Sequence, residues 1–123
     1  MKVLSGCAQT VLGPVEPDRL GMALTHEHIF LDQNKAFPVR RELFLGPDAE
    51  QDRKLAFEPV RIENLWWLRV HRMESVDNLR LEDYDVARHE VQIFKDYGGR
   101  SIVEVTVEGL YPNPKGLKKL SIE

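Results

Sequence analysis

Two imidazoles stand two residues apart in the stretch Ala23-Leu24-Thr25-His26-Glu27-His28-Ile29-Phe30-Leu31. On a β-strand successive side chains point to opposite faces, so His26 and His28 would project from one face and Thr25, Glu27 and Ile29 from the other. Neutral imidazole is a nitrogen ligand for a borderline metal such as zinc, and a catalytic zinc site takes about three protein ligands and keeps a position open for water. One strand supplies two of these. The apolar flanks Leu24 and Ile29-Phe30-Leu31 suit a strand covered on both faces, where unpaired imidazoles would be costly. Because the run stops at Asp32-Gln33-Asn34, the histidines lie near its carboxyl end, where active sites of parallel α/β sheets and barrels are found.

The elements that must position this pair follow from the rest of the pattern. Residues 1–22 read as a leader: Val3 to Leu12 is a strand or hairpin arm ending at Gly13-Pro14, and Gly13 and Gly21 are turn glycines. From Asp32 to Pro59 there is no clear period; Pro38, Pro47 and Pro59 divide the segment into short pieces, and Arg40-Arg41 within it reads as solvated. Ile62, Leu65, Trp66, Val70 and Met73 recur at helical spacing after Pro59, which predicts an amphipathic helix with the tryptophans in its packing and His71 on the surface. A second helix is expected from about Leu81 to Tyr97. Its apolar half would carry Tyr84, Val86, Ala87, Val91, Ile93, Phe94 and Tyr97, with Glu90 inside that half as a structural tie and His89 facing water.

Gly98-Gly99 ends this helix, and Ser101 to Val107 is a β-branched run that reads as a second strand. Strand, long helical connection, strand is a crossover and makes a parallel pair. Pro114 to Glu123 carries the start of a further helix.

Composition excludes several classes. The chain has 123 residues, 42% of them hydrophobic, and a formal charge of −3 from 17 basic and 20 acidic side chains, which leaves no basic footprint for nucleic acid or anionic lipid. The single cysteine, Cys7, cannot form an internal disulfide; it suits a reducing, cytoplasmic compartment and reads as a small buried residue. The first apolar stretch is broken at Ser5-Gly6 and again at Gly13-Pro14, so neither a signal peptide nor a membrane span is expected.

Gln9-Thr10-Val11-Leu12-Gly13, Leu20-Gly21 and Leu24 to His28 together resemble the opening of the phosphotriesterase family of the amidohydrolase superfamily. The resemblance continues through Asn64-Leu65-Trp66-Trp67, Phe94-Lys95 with Gly98-Gly99, Ile102 to Thr106, Gly109 and Leu117-Lys118-Lys119-Leu120, and is weakest between Lys35 and Phe57. It implies an α/β fold, the N-terminal part of a (β/α)8 TIM barrel. The chain would hold about the first two βα units with a preceding hairpin or strand: strand one at 23–31, loop and helices at 32–97, strand two at 101–107 and the next helix from 113. A complete barrel takes about 250 residues, so this chain holds the first quarter to third of one.

By the same resemblance, His26 and His28 bind the more buried of two divalent metals, two zinc ions per complete subunit. The other ligands come from strands four, five, six and eight, which lie beyond these residues, so only part of one site and no catalytic residue is expected here. The implied reaction is two-metal hydrolysis, in which water activated as hydroxide attacks an ester, lactone or N-acyl amide such as an N-acyl amino acid or N-acetyltaurine. After strand two, relatives carry Gly-Arg-Asp or a close variant where this chain has Tyr111-Pro112-Asn113, which removes an arginine from the helix start but no metal ligand.

Three roles are compatible with this sequence. It is a truncated metal-dependent hydrolase, inactive alone, with a small-molecule substrate when complete; or a non-catalytic product or interaction module that self-associates through open sheet edges; or a weak metal-binding protein that borrows a ligand from another chain.

Overall fold

A computed structural model describes residues 6–36 and 48–123. Pro38, Arg40, Arg41 and Pro47 lie outside the described residues. By packing, the chain divides into two units, one of Met1–Phe30, Asp83–Thr106 and Pro112–Glu123, the other of Leu31–Glu82 and Val107–Tyr111.

The first unit opens on a hairpin, β1 (Ala8–Thr10) antiparallel to β2 (Gly13–Val15). Its turn depends on Gly13, whose φ of 119° an L side chain rarely adopts. Thr10 reinforces the turn, its hydroxyl donating to the Gly13 carbonyl (2.7 Å) and accepting from the Leu12 amide (3.1 Å). β3 (Ala23–Glu27) then pairs in parallel with β6 (Ser101–Glu104), as the crossover order requires. The amides of Arg100 and Ser101 both reach the Met22 carbonyl, and the Ser101 hydroxyl donates to that of Leu20, so the start of the pair is fixed by three bonds.

Between the two strands in sequence runs α4 (Tyr84–Asp96). It begins at Tyr84 rather than Leu81 because the Asp83 carboxylate accepts from the amides of Asp85 and Val86, the geometry of a helix N-cap. It ends in a Schellman cap: Gly98 takes a φ of 91°, its amide bonds to the Lys95 carbonyl, and the Gly99 amide bonds to that of Phe94. The half-buried positions are Tyr84, Ala87, Val91 and Phe94, a stripe narrower than half the helix. Glu90 falls outside it and is exposed, so the expected structural tie does not exist; His89 is exposed as expected. α5 (Pro114–Leu120) closes the unit. Asn113 caps it by accepting from the Gly116 amide at 2.9 Å, so Tyr111-Pro112-Asn113 still starts the helix. Gly116 lets the buried Phe30 approach, since a Cβ there would stand 3.0 Å from the ring.

In the second unit, β4 (Leu31–Asp32) pairs antiparallel with β5 (Arg80–Leu81) and leads into α1 (Gln33–Ala36). The expected single strand over 23–31 is thus two elements, and Leu81, expected in a helix, lies in a strand. Asp32 is buried and accepts from the Asn34 amide (3.0 Å) while pairing with Lys35 (3.2 Å). Burial pushes this carboxyl up, but the bonds from Lys35 and Asn34 outweigh it and hold its pKa below the ordinary value.

α2 (Ala49–Phe57) and α3 (Leu65–His71) form a small core in which Ala56 meets Trp67. The apolar stripe read from the sequence is packed only in part: Leu65 and Met73 are half-buried, whereas Ile62, Trp66 and Val70 are 81%, 59% and 77% exposed and Trp67 is 2% exposed. The packed face is instead Asn64, Trp67, Leu68 and His71, spaced i, i+3, i+4 and i+7. Two of its members are polar. Asn64 ties the helix entry by accepting from the Arg61 amide and donating to the Pro59 carbonyl, the Trp67 indole N–H donates to Asp52 (2.8 Å), and the His71 ring stacks on Trp67 at 4.8 Å. His71 is therefore half-buried packing and not a surface residue.

Candidate metal centre

The site is built at the carboxyl end of β3. The register of the β3–β6 pair shifts between Leu24, opposite Ile102, and Glu27, opposite Glu104, so Thr25 and His26 of β3 face the single residue Val103 of β6. This is a β-bulge, which re-aims side chains at a strand end. Pairing resumes beyond it, with the Val105 amide donating to the Glu27 carbonyl at 3.0 Å. His26, inside the bulge, is exposed, and His28, just past the strand, is half-buried. Their rings lie 5.8 Å apart between centroids, edge to face.

The end of β6 and the residues just past it contribute the support. Thr106 Oγ1 lies 2.8 Å from His28 Nδ1, and the Thr106 hydroxyl donates to Glu104 Oε1 in a short hydrogen bond. The Thr106 amide also faces both Glu104 oxygens at 3.3 Å. Threonine and glutamate here are half-buried. Sequence reading missed them, although Glu104, at the end of β6, and Thr106, just past it, repeat the i, i+2 spacing of His26, in β3, and His28, just past it. That coincidence, on adjacent parallel strands, was the available signal.

The donor set fits part of a metal site. Two imidazoles lie side by side, and one has its Nδ1 engaged, leaving Nε2 as its available nitrogen. Among the described residues no group of three or more histidine, cysteine or acidic side chains converges. Elsewhere, Cys7 is half-buried with Sγ 3.4 Å from Glu16 Oε1, and His71 and His89 belong to α3 and α4.

A model of the phosphotriesterase family matches residues 6–123. The chain is 36% identical to the N-acetyltaurine hydrolase of Salmo salar and 37% identical to that of Xenopus tropicalis, in each case over all of this chain and 33% of the relative. It is 37% identical to the phosphotriesterase-related protein of Nematostella vectensis over 96% of its length and 33% of the relative's. Among solved structures it matches a resiniferatoxin-binding protein from Rhodobacter sphaeroides with a TM-score of 0.77 and 36% identity, over 96% of this chain and 31% of that one. It spans about a third of the length of the curated relatives it matches. The α/β fold is that of the N-terminal part of a (β/α)8 barrel. With 118 of 123 positions inside the family match (residues 6–123), this chain belongs to the phosphotriesterase family.

Proposed function

We propose that the chain supplies His26 and His28 as the first two ligands of a divalent-metal hydrolase acting on an ester, lactone or N-acyl amide, and that these 123 residues alone do not turn over substrate. The observation that carries this reading is the pair of adjacent imidazoles at the carboxyl end of β3, one of them braced by Thr106 just past β6. The family is one of divalent-metal hydrolases, and the relatives named N-acetyltaurine hydrolase favour an N-acyl amide such as N-acetyltaurine or an N-acyl amino acid.

His26 and His28 would hold one ion, zinc suiting the nitrogen donors best. Such an ion supplies Lewis-acid polarisation of the oxygen under attack and a lowered pKa for water. The chain's own part is to set the two rings: the bulge turns His26 outward and Thr106 fixes the plane of His28. The single, half-buried Cys7 supports a reducing, cytoplasmic setting, and no described helix is long and apolar enough to cross a membrane.

A fusion of this chain to the remaining two thirds of the Xenopus relative tests the reading. Metal-dependent hydrolysis of N-acetyltaurine that disappears in His26→Ala and His28→Ala is expected. A folded, active fusion indifferent to both changes contradicts it.

A further inference from the structure

The side chains around His28 specify more than its position. A threonine hydroxyl carries one hydrogen and two acceptor lone pairs, and an ionised carboxylate only accepts. Thr106 Oγ1 directs its hydrogen at Glu104 Oε1, and the Thr106 amide faces the same carboxylate. The hydroxyl therefore has only lone pairs to offer His28 Nδ1 at 2.8 Å, and that contact is a hydrogen bond only if Nδ1 bears the hydrogen. The lone pair of the neutral ring is then on Nε2.

We infer that Thr106 and Glu104 are positioning residues that lock His28 in its Nδ1–H tautomer and present Nε2 as its ligand atom. Glu104 acts through Thr106: the carboxylate fixes the hydroxyl rotor, and the hydroxyl fixes the ring. This relay resembles in its logic the carboxylate partners that orient metal-bound histidines elsewhere, with a hydroxyl inserted between the two. Among the described residues His26 meets the ring of His28 and has no such partner, so the two rings differ in how firmly they are held. The tautomer stands on the hydrogen bonds alone; its use for a metal rests on the function proposed above.

Long-range proton–nitrogen correlation spectra of the metal-free chain, labelled with 15N at histidine, read the tautomer directly. His28 should show a protonated Nδ1 and a bare Nε2 in the unaltered chain. In Thr106→Val it should move toward the Nε2–H form, Thr106→Ser should restore the original pattern, and His26 should change in neither. An Nε2–H ring in the unaltered chain, or a pattern indifferent to Thr106→Val, overturns the inference, and the first of these decides the matter even if the valine variant does not fold. Zinc titration forms a second arm, with Thr106→Val expected to weaken binding by about 10–100-fold. A locked tautomer in a chain that takes up no zinc upholds the positioning pair and removes the metal reading instead.

Discussion

Thr106 Oγ1 sits 2.8 Å from Nδ1 of His28, joining residues 78 positions apart in sequence across the β3–β6 pair. The contact exists because two parallel strands place their carboxyl ends together: Glu27 stands opposite Glu104 beyond the bulge, and His28 and Thr106 follow just past that pair. The histidine and its support thus follow directly on the ends of neighbouring strands.

The isolated chain should not hydrolyse family substrates. Two imidazoles cannot hold a two-metal centre, and no third ligating group converges on them among the described residues. Purified protein loaded with zinc, cobalt or manganese is expected to show no turnover of paraoxon, a simple lactone or N-acetyltaurine. Robust metal-dependent turnover lost in His26→Ala would refute this.

The entry to α4 depends on one side chain. Asp83→Ala removes the acceptor for the Asp85 and Val86 amides and should cost about 1 kcal/mol, while Asp83→Ser should recover most of it. Urea denaturation followed by circular dichroism measures both. Equal stability of the alanine variant would mean the cap contributes nothing.

The turn from β4 into α1 should be acid-sensitive. Asp32 has a folded-state pKa below the ordinary 3.8, so its contribution to stability is present above that value and is lost as pH falls through the lower, folded one. Asp32→Asn is expected to destabilise the chain by about 1 kcal/mol at neutral pH, with the difference closing in strong acid. A difference independent of pH would contradict the charged contact with Lys35.

Open strand faces should make the chain self-associate. Leu24 on β3 is 38% exposed and Val103 on β6 is 48% exposed, and Ala23 through His26 are all exposed, in a sheet of two strands. Uncovered edges and apolar faces recruit other chains. Sedimentation should show oligomers, with hydrophobic-dye binding and a broad thermal transition. A monomer with a sharp two-state transition would overturn this expectation.

Much of this was legible in the residues, for identifiable reasons. The parallel pairing of β3 and β6 followed from strand, helix, strand order, and the turn at Gly13 and the cap at Gly98-Gly99 from glycine's tolerance of positive φ. The stripe of α3 was misread because the packed face includes Asn64 and His71, which a count of apolar residues passes over, while Ile62, Trp66 and Val70 are exposed. A continuous strand over 23–31 is suggested by the apolar run Ile29-Phe30-Leu31, but β3 ends at Glu27 and Leu31–Asp32 pairs with β5, a partner with no local signal. β5, two residues long, has no period to detect. At the site, the histidine pair was visible from spacing alone, whereas Glu104 and Thr106 gain meaning only when β6 is laid beside β3.

Zinc binding measured by calorimetry on this chain tests the central claim most directly. The account predicts weak binding that is abolished when His26 and His28 are both changed to alanine, as expected of half a site. Tight stoichiometric binding that survives the double change would contradict it, and would place the ligands at Cys7, His71 or His89 instead.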